Sequence, residues 1–244
     1  MATSNCQMNM MNQTFHAKAT KRSEVAVSPL FPYVIFDMDG TLVDTFNLIA
    51  ESYDYAVGSL TRKQPDGSRA SGARGYTLEE ALAEGLPVSD VPEALGRFHD
   101  YFDKNFNSRA NVFPGIRRSL VALRRRGVGL AVFTGQTRRA TEITLQRTDL
   151  KDFFTEIVTA DDVTEPKPSP EGLKLAMEGI GADPDGTVYV GDDPDDVYAS
   201  RGAGVKTAAA LWGSVRRNEL VALQPDFTFS KPTDVQLLST WTIR

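Results

Sequence analysis

The pattern that most constrains the fold is a series of short apolar runs, most of them followed by a stretch with helical apolar spacing. Their near-continuous hydrophobicity is typical of strands buried on both faces, as in parallel sheets covered by helices. The alternation of strand and helix predicts a doubly wound α/β domain. The candidate strands are Tyr33–Phe36, Val128–Phe133, Glu156–Thr159, Thr187–Val190, Val205–Ala210 and, more weakly, Phe227–Phe229. The candidate helices are Ile116–Arg126, Thr137–Thr148, Pro170–Gly179 and Pro194–Ala203.

One long stretch, residues 46–112, interrupts this rhythm. Its apolar residues recur at helical spacing, as at Leu48, Ile49 and Tyr53. The spacing predicts a small helical domain inserted after the first strand. Within it, residues 61–75 are polar and Gly-rich, which predicts a flexible loop. This loop carries Arg62, Lys63, Arg69 and Arg74. They form either a solvated surface or an edge that attracts anionic groups to a site.

Residues 1–30 are polar and show no apolar periodicity. We therefore expect a flexible N-terminal extension, in which Cys6 and His16 have no catalytic role. Its early positive charges leave a transit peptide as the weaker alternative. The expected organisation is this extension, an α/β core formed by residues 31–45 and 113–244, and the helical insert 46–112.

Composition and charge exclude several classes of function. Lys and Arg total 27 against 32 for Asp and Glu, so the net charge of −5 disfavours a general nucleic-acid binder. No segment reaches the roughly 18 consecutive apolar residues that a membrane span requires. The single cysteine excludes an internal disulfide and a thiolate zinc cluster, and it fits a reducing, cytoplasmic setting. The sequence does not predict the oligomeric state.

Polar residues follow four of the candidate strands, and open α/β sheets bind ligands at the carboxyl ends of their strands. These residues are Asp37 and Asp39, then Thr134 and Gly135, then Lys167, and finally Asp192, Asp193 and Asp196. Five carboxylates at one edge of a sheet require a cation, and a hard divalent ion such as Mg²⁺ prefers such oxygen ligands. A lysine and a threonine hydroxyl are suitable donors to phosphate oxygens. For Asp193, a helix cap remains the alternative.

The ordered set of motifs resembles the haloacid dehalogenase-like (HAD) superfamily, in its phosphoglycolate phosphatase-like branch. The resemblance runs from about Tyr33 to Leu238. It rests on Phe36-Asp37-Met38-Asp39-Gly40-Thr41-Leu42-Val43-Asp44-Thr45, Phe113-Pro114-Gly115, Thr134, Lys167-Pro168-Ser169-Pro170, and Gly191-Asp192 with Asp196. It implies that the mainly parallel sheet is Rossmann-like and that the insert is a cap. One position departs from the pattern: Gln136 stands where relatives often have Lys.

The resemblance, together with the chemistry of the residues, implies a phosphatase that acts on a small phosphomonoester. Asp37 would attack phosphorus and form an aspartyl phosphate. Asp39 would protonate the leaving oxygen and then take a proton from the hydrolytic water. Lys167 would neutralise the charge shared by the nucleophile and the phosphoryl group, while Thr134 and the Gly135 amide bind phosphate oxygens.

The same resemblance implies that Mg²⁺ is the cofactor. Its ligands would be Asp37, the Asp39 carbonyl and Asp192, with Asp196 or Asp193 supporting its waters. The expected partner is a small phosphorylated metabolite, with no nucleic acid and no membrane.

Other interpretations remain open from the sequence. A phosphomutase of the same branch would use the same residues and return the phosphoryl group to a sugar phosphate. A receiver-like protein also forms an aspartyl phosphate, but receivers are about half this length and lack the insert. A phosphate-binding protein without catalysis is the last alternative. His99 lies on a candidate cap helix, where a structural role is favoured over a catalytic one, and Trp212 is expected to pack near the edge of the site.

Overall fold

The computed structural model of the protein describes residues 30–61 and 77–240. The predicted extension, apart from Leu30, lies outside the described residues, with Cys6 and His16. The four basic residues of the polar loop also lie outside them. The predictions for these two segments therefore remain predictions.

The strands form a six-stranded parallel sheet and a separate two-stranded ribbon. In the described residues the strands are β1 (Tyr33–Phe36), β2 (Val43–Asp44), β3 (Asn111–Val112), β4 (Gly129–Phe133), β5 (Glu156–Val158), β6 (Thr187–Gly191), β7 (Lys206–Ala210) and β8 (Phe227–Phe229). The sheet order is β5-β4-β1-β6-β7-β8. The strand sequence thus runs outward from β1 in both directions, which confirms the doubly wound, Rossmann-like prediction.

The helices in the described residues are α1 (Phe46–Thr61), α2 (Leu78–Gly85), α3 (Val91–Arg109), α4 (Ile116–Arg125), α5 (Arg138–Arg147), α6 (Glu171–Ile180), α7 (Pro194–Ala203) and α8 (Arg217–Ala222). Of the four helices predicted for the core, α6 starts one residue later and α7 starts where predicted. Thr137 and Thr148, predicted as the ends of one helix, are the N-cap and C-cap of α5. No described helix is both long and apolar enough to cross a membrane.

The central position of β1 explains where the polar strand ends meet. Phe36 is level with Val132 of β4 and with Val190 of β6. Successive β1 residues point to opposite faces, so Phe36 packs in one hydrophobic cluster and Ile35 in another. Both faces are buried, as the continuous apolar run predicts. The residues that follow β1, β4 and β6 therefore leave the sheet side by side.

Helices α1, α2 and α3 lie between β2 and β3, and we call this unit, described at residues 46–61 and 77–112, the cap. One face of α3 carries Phe98, Phe102 and Phe106, spaced four residues apart and buried in a cluster shared with α1 and α2. The Tyr53 hydroxyl of α1 donates to the Ala81 carbonyl of α2 at 3.0 Å. The antiparallel β2–β3 ribbon brings the two ends of the insert together. This ribbon was not predicted, because strands of two residues leave no periodic pattern in a sequence.

Candidate active site

The turn after β1 places Asp37 and Asp39 at the carboxyl edge of the sheet. The Asp37 amide continues the sheet by donating to the Val190 carbonyl at 2.8 Å. The chain then turns through Gly40, whose φ of +78° lies in the left-handed region. A Cβ at Gly40 would overlap the Asp192 carboxylate. Glycine at this position therefore lets the turn after β1 approach the end of β6.

Lys167 lies between two carboxylates. Its ammonium donates to Asp37 Oδ1 at 2.7 Å and to Asp196 Oδ1 at 2.8 Å. It also lies 4.9 Å from the ring centre of Phe133 and 5.3 Å from that of Tyr189. Burial alone lowers the pKa of Lys167, but the two carboxylates outweigh burial and raise it. Lys167 is therefore a permanent positive charge beside Asp37.

The carboxylates of Asp37, Asp192 and Asp196 form a compact buried cluster. One oxygen of each lies within 4.8 Å of the others. Burial raises the pKa of Asp37 to about 7, with Lys167 opposing the shift and Asp196 adding to it. Burial also raises the pKa of Asp192 well above its usual range, and the charges of Asp37 and Asp196 add to that effect. The Asp192 carboxylate accepts a hydrogen bond from Thr41 at 2.9 Å.

This cluster has the composition of a divalent-metal site. Lys167 pairs with Asp37 and Asp196, and among the described residues Asp192 forms no ion pair, so one lysine faces three buried carboxylates. Buried carboxylates of this kind are stable when they are paired with a cation or coordinate a metal ion. The donor atoms are all oxygens, which hard divalent ions prefer. The residues present therefore fit a divalent cation.

Asp39 lies beside this cluster and has hydrogen-bond partners of its own. Its carboxylate accepts hydrogen bonds from the hydroxyl of Thr45, just before α1, and from the side chain of Gln136. Burial raises the pKa of Asp39 to about 6, although the Thr45 and Gln136 hydrogen bonds and the charge of Lys167 oppose the shift. A carboxyl group with such a pKa exchanges a proton readily near neutral pH. This property suits a general acid and base.

The segment after β4 supplies the candidate phosphate donors. Thr134 is buried, and its amide donates to the Val158 carbonyl of β5 at 3.0 Å. Its hydroxyl accepts a hydrogen bond from the backbone N–H of Gln136 at 3.2 Å. A Cβ at Gly135 would meet no atom of the described residues within 4 Å, so they leave open space beside this residue. The segment is therefore fixed through the sheet but leaves room for a ligand at Gly135.

The structure separates the two roles considered for Asp193. Its side chain caps the N-terminus of α7 by accepting from the Asp195 amide at 2.9 Å. It also pairs with Arg216, whose Nε donates to Asp193 Oδ2 at 2.9 Å. Asp193 is not a member of the three-carboxylate cluster found among the described residues. The geometry therefore supports the helix-cap interpretation.

Two further residues support the site: Tyr189, which the sequence did not single out, and Trp212, which was expected to pack near the edge of the site. The Tyr189 hydroxyl lies 2.9 Å from the Phe133 carbonyl and 3.1 Å from Asp196 Oδ1. The Trp212 indole donates to the Thr41 carbonyl at 2.9 Å, and so supports the turn after β1. A Cβ at the next residue, Gly213, would overlap the backbone of that turn. A Trp-Gly pair one residue after a predicted strand is the sequence feature that points to this contact.

Comparisons with known proteins give a consistent result. The model of the haloacid dehalogenase-like hydrolase family matches residues 34–210. A protein named pyrophosphatase PpaX from Bacillus cereus is 32% identical over 206 residues, which cover 83% of this chain and 93% of the relative. The protein of the same name from Bacillus velezensis is 30% identical over 202 residues, covering 83% and 93% of the two chains. The crystal structure of CbbY from Rhodobacter sphaeroides in complex with phosphate has a TM-score of 0.73 at 21% identity, covering 84% of this chain and 96% of CbbY. This last likeness concerns the fold alone.

Proposed function

Because the chain belongs to the haloacid dehalogenase-like hydrolase family, we propose that it is a magnesium-dependent phosphatase that hydrolyses a small phosphomonoester through an aspartyl phosphate on Asp37. The observation that carries this proposal is the position of Asp37. Its carboxylate is hydrogen-bonded to the buried Lys167 and is itself a member of the three-carboxylate cluster. Under this proposal, the nucleophile, a fixed positive charge and the metal site would lie together at one edge of the sheet.

In the first step, a carboxylate oxygen of Asp37 forms a bond to phosphorus while the bond from phosphorus to the ester oxygen breaks. Asp39 gives its proton to that leaving oxygen, so an alcohol rather than an alkoxide departs. In the second step, Asp39 takes a proton from a water molecule as the water oxygen attacks phosphorus. The bond between phosphorus and Asp37 then breaks, which releases inorganic phosphate and restores the carboxylate.

Charge and hydrogen bonds from the surrounding residues would stabilise both transition states. Lys167 offsets the negative charge shared by Asp37 and the phosphoryl oxygens. The Thr134 hydroxyl and the Gly135 amide would donate to the remaining phosphoryl oxygens. The Thr45 hydroxyl holds Asp39 by a hydrogen bond at the start of α1.

Asp37, Asp192 and the Asp39 carbonyl would hold Mg²⁺, which when bound supplies positive charge to the phosphoryl group. The role of Asp196 is less direct. Its Oδ1 accepts from Lys167 at 2.8 Å and lies 3.1 Å from the Tyr189 hydroxyl, and its Oδ2 accepts from the Asp193 amide at 2.9 Å. Asp196 would therefore orient Lys167 and support metal-bound waters.

The cap is the reason to expect a small substrate. The insert leaves the core a few residues after Asp37 and returns through the β2–β3 ribbon. A helical unit tethered so close to the nucleophile limits the space above the phosphoryl group and excludes bulk water. We therefore expect a small phosphorylated metabolite as the substrate rather than a protein or a nucleic acid.

Two further candidate activities remain. The name of the Bacillus relatives favours inorganic pyrophosphate, in which the leaving group is phosphate rather than an alcohol. A phosphomutase would use the same residues but return the phosphoryl group to a sugar phosphate.

Phosphate release and product identity distinguish the three activities. Phosphoglycolate, glucose 1-phosphate, pyrophosphate, a nucleotide and a phosphopeptide would each be tested with Mg²⁺ and with EDTA. Asp37→Asn serves as the blank, with activity about a thousandfold lower because the amide cannot attack phosphorus.

We expect phosphate release from a small ester and reversible inhibition by EDTA. Preference for pyrophosphate would select that substrate, and isomerisation without phosphate release would select the mutase. Activity of the Asp37→Asn variant above a tenth of wild type would contradict the assigned nucleophile.

A further inference from the structure

Helix α3 of the cap packs against helix α5 of the core, and three side-chain pairs join them. His99 Nε2 lies 2.8 Å from Thr137 Oγ1. Asp100 pairs with Arg139 at 2.8 Å and Asp103 with Arg147 at 2.6 Å. These residues define what we call the α3–α5 interface. The two ion pairs are exposed, whereas His99 and Thr137 are each 7% exposed.

Thr137 connects this interface to the candidate phosphate-binding segment. It is the N-cap of α5, and its hydroxyl oxygen accepts from the Ala140 amide at 3.3 Å. It directly follows Gln136. The side chain of Gln136 is hydrogen-bonded to Asp39, and its backbone N–H donates to the Thr134 hydroxyl. A shift of Thr137 would therefore move the groups beside Asp39 and the phosphate donors.

The core fixes the other side of this segment. The Gln136 carbonyl accepts from the Ala160 amide at 2.9 Å, and the Arg138 amide donates to Asp161 Oδ2 at 2.9 Å. Both partners lie in the short 3₁₀ helix Ala160–Asp162 that follows β5. His99 adds a contact from the cap, so the segment is held between two parts of the molecule.

We propose that His99 is a positioning residue, which acts through Thr137 to hold residues 134–137 in the geometry that binds the phosphoryl group. This inference rests on the proposed phosphatase function. It links the docked position of the cap to the arrangement of the phosphate donors. Displacements of about 1 Å at a reacting centre reduce rates by up to a hundredfold, so one buried hydrogen bond can have a measurable effect.

The groups around His99 favour a neutral imidazole. Burial and then the charge of Arg139 from α5 lower its pKa, while Asp161 from the 3₁₀ helix and Asp100 from α3 itself oppose the shift. A neutral ring offers one donor and one acceptor nitrogen. The Thr137 hydroxyl can complement either tautomer, because it both donates and accepts.

Matched variants on both sides of the hydrogen bond test the inference. His99→Leu and Thr137→Val remove the bond, whereas His99→Gln and Thr137→Ser retain a polar partner. In the variants that remove the bond, we expect kcat/KM on the best small substrate to fall about tenfold. In the variants that retain a polar partner, it should stay within about threefold of wild type. The double variant His99→Leu/Thr137→Val should lose no more than Thr137→Val alone, because both changes remove the same interaction. Asp103→Asn, which breaks an exposed ion pair of the same interface, should leave kcat/KM unchanged.

Two measurements distinguish a positioning role of His99 from a merely structural one: catalytic activity and inhibition by inorganic phosphate. Activity is measured well below each variant's unfolding midpoint, and the inhibition constant of inorganic phosphate should rise with the loss of kcat/KM. A His99→Leu variant that unfolds earlier but keeps wild-type kcat/KM would overturn the inference, as would additive losses in the double variant. If His99→Leu does not fold, His99→Ala takes its place, because Thr137→Val also removes the N-cap hydroxyl of α5 and does not isolate the contact with His99. A wild-type protein without activity on any phosphate would contradict the proposed function, and the inference with it.

Discussion

The three-carboxylate cluster with Lys167 and the α3–α5 interface contain charge pairs of similar length in opposite surroundings. Lys167 bonds to Asp37 and Asp196 at 2.7 and 2.8 Å, with side-chain exposures of 13%, 10% and 1%. The Asp103–Arg147 pair of the interface measures 2.6 Å, but its side chains are 46% and 41% exposed. Water screens the second pair and not the first. The strength of these contacts therefore follows from their burial and not from their distance.

The sharpest test of this comparison is to remove the buried cation. Lys167→Ala leaves two buried carboxylates without their partner, and breaking a buried pair in this way typically costs about 3–5 kcal/mol. Phosphatase activity should fall at least about a hundredfold, because the charge on the phosphoryl group is no longer offset. Unfolding in urea and steady-state kinetics measure the two effects.

Lys174→Ala is the matched control, since Lys174 is exposed on the neighbouring α6. It should be close to wild type in both measurements. If Lys167→Ala behaved like this control, the buried cluster would be no more consequential than the exposed interface.

The second test concerns Asp39, which the Thr45 and Gln136 hydrogen bonds hold beside the cluster. In Asp39→Asn, the rate of the first step should fall about a hundredfold for an ester with an alcohol leaving group. For p-nitrophenyl phosphate it should fall much less, because nitrophenolate leaves without a proton. Burst-phase measurements isolate this step from the slow hydrolysis that follows. An equal loss for both substrates would show that Asp39 does not act as the general acid.

The two regions also differ in how well the sequence predicts them. The cluster was predictable because its residues follow parallel strands, and the carboxyl ends of such strands share one edge of the sheet. Asp37 and Asp192 meet there simply because β1 pairs with β6. The contact of His99 with Thr137 was not predictable, since it depends on the angle at which α3 lies on α5. No local pattern encodes that angle.

The same distinction applies to single residues. Tyr189 reads as an ordinary apolar position of a buried strand, and only its depth beneath Lys167 gives its hydroxyl a role. Gln136 was noted as a departure from the family pattern, yet its bond to Asp39 requires two loops to meet. The sequence left Asp193 either as a support for metal-bound waters or as a helix N-cap. Its bond to the distant Arg216 favours the role at the N-terminus of α7. In each case the missing information is a contact between segments far apart in sequence.

A smaller effect is expected from pH at the α3–α5 interface. Burial and Arg139 lower the pKa of His99 in the folded protein below its ordinary value of 6.5. The unfolded chain therefore binds a proton first as the pH falls. The stability that the neutral ring contributes is complete above pH 6.5 and is lost as the pH falls through the lowered pKa.

Urea unfolding at pH 7.5 and pH 5.5, for wild type and His99→Leu, measures this contribution. Wild type should lose more stability on acidification than the variant. The buried acids Asp37 and Asp192 also titrate, but they are present in both proteins, so their contribution cancels in the difference. Identical pH dependence in the two proteins would show that His99 is not held neutral by its surroundings.

The smallest effect should come from the exposed pair Asp103–Arg147. Both side chains are accessible to water, so a double-mutant cycle with Asp103→Asn and Arg147→Gln should give a coupling of about 0.2–1 kcal/mol. The coupling should shrink as salt is raised from 50 mM to 1 M, because the screening length falls to about 3 Å. The Lys167 contacts should keep most of their contribution over the same range, since water and salt ions do not reach between buried partners. A coupling above about 2 kcal/mol that salt does not reduce would mean that cap docking shields this pair from water. Side-chain exposure would then fail to predict which of the two regions has the stronger charge pairs.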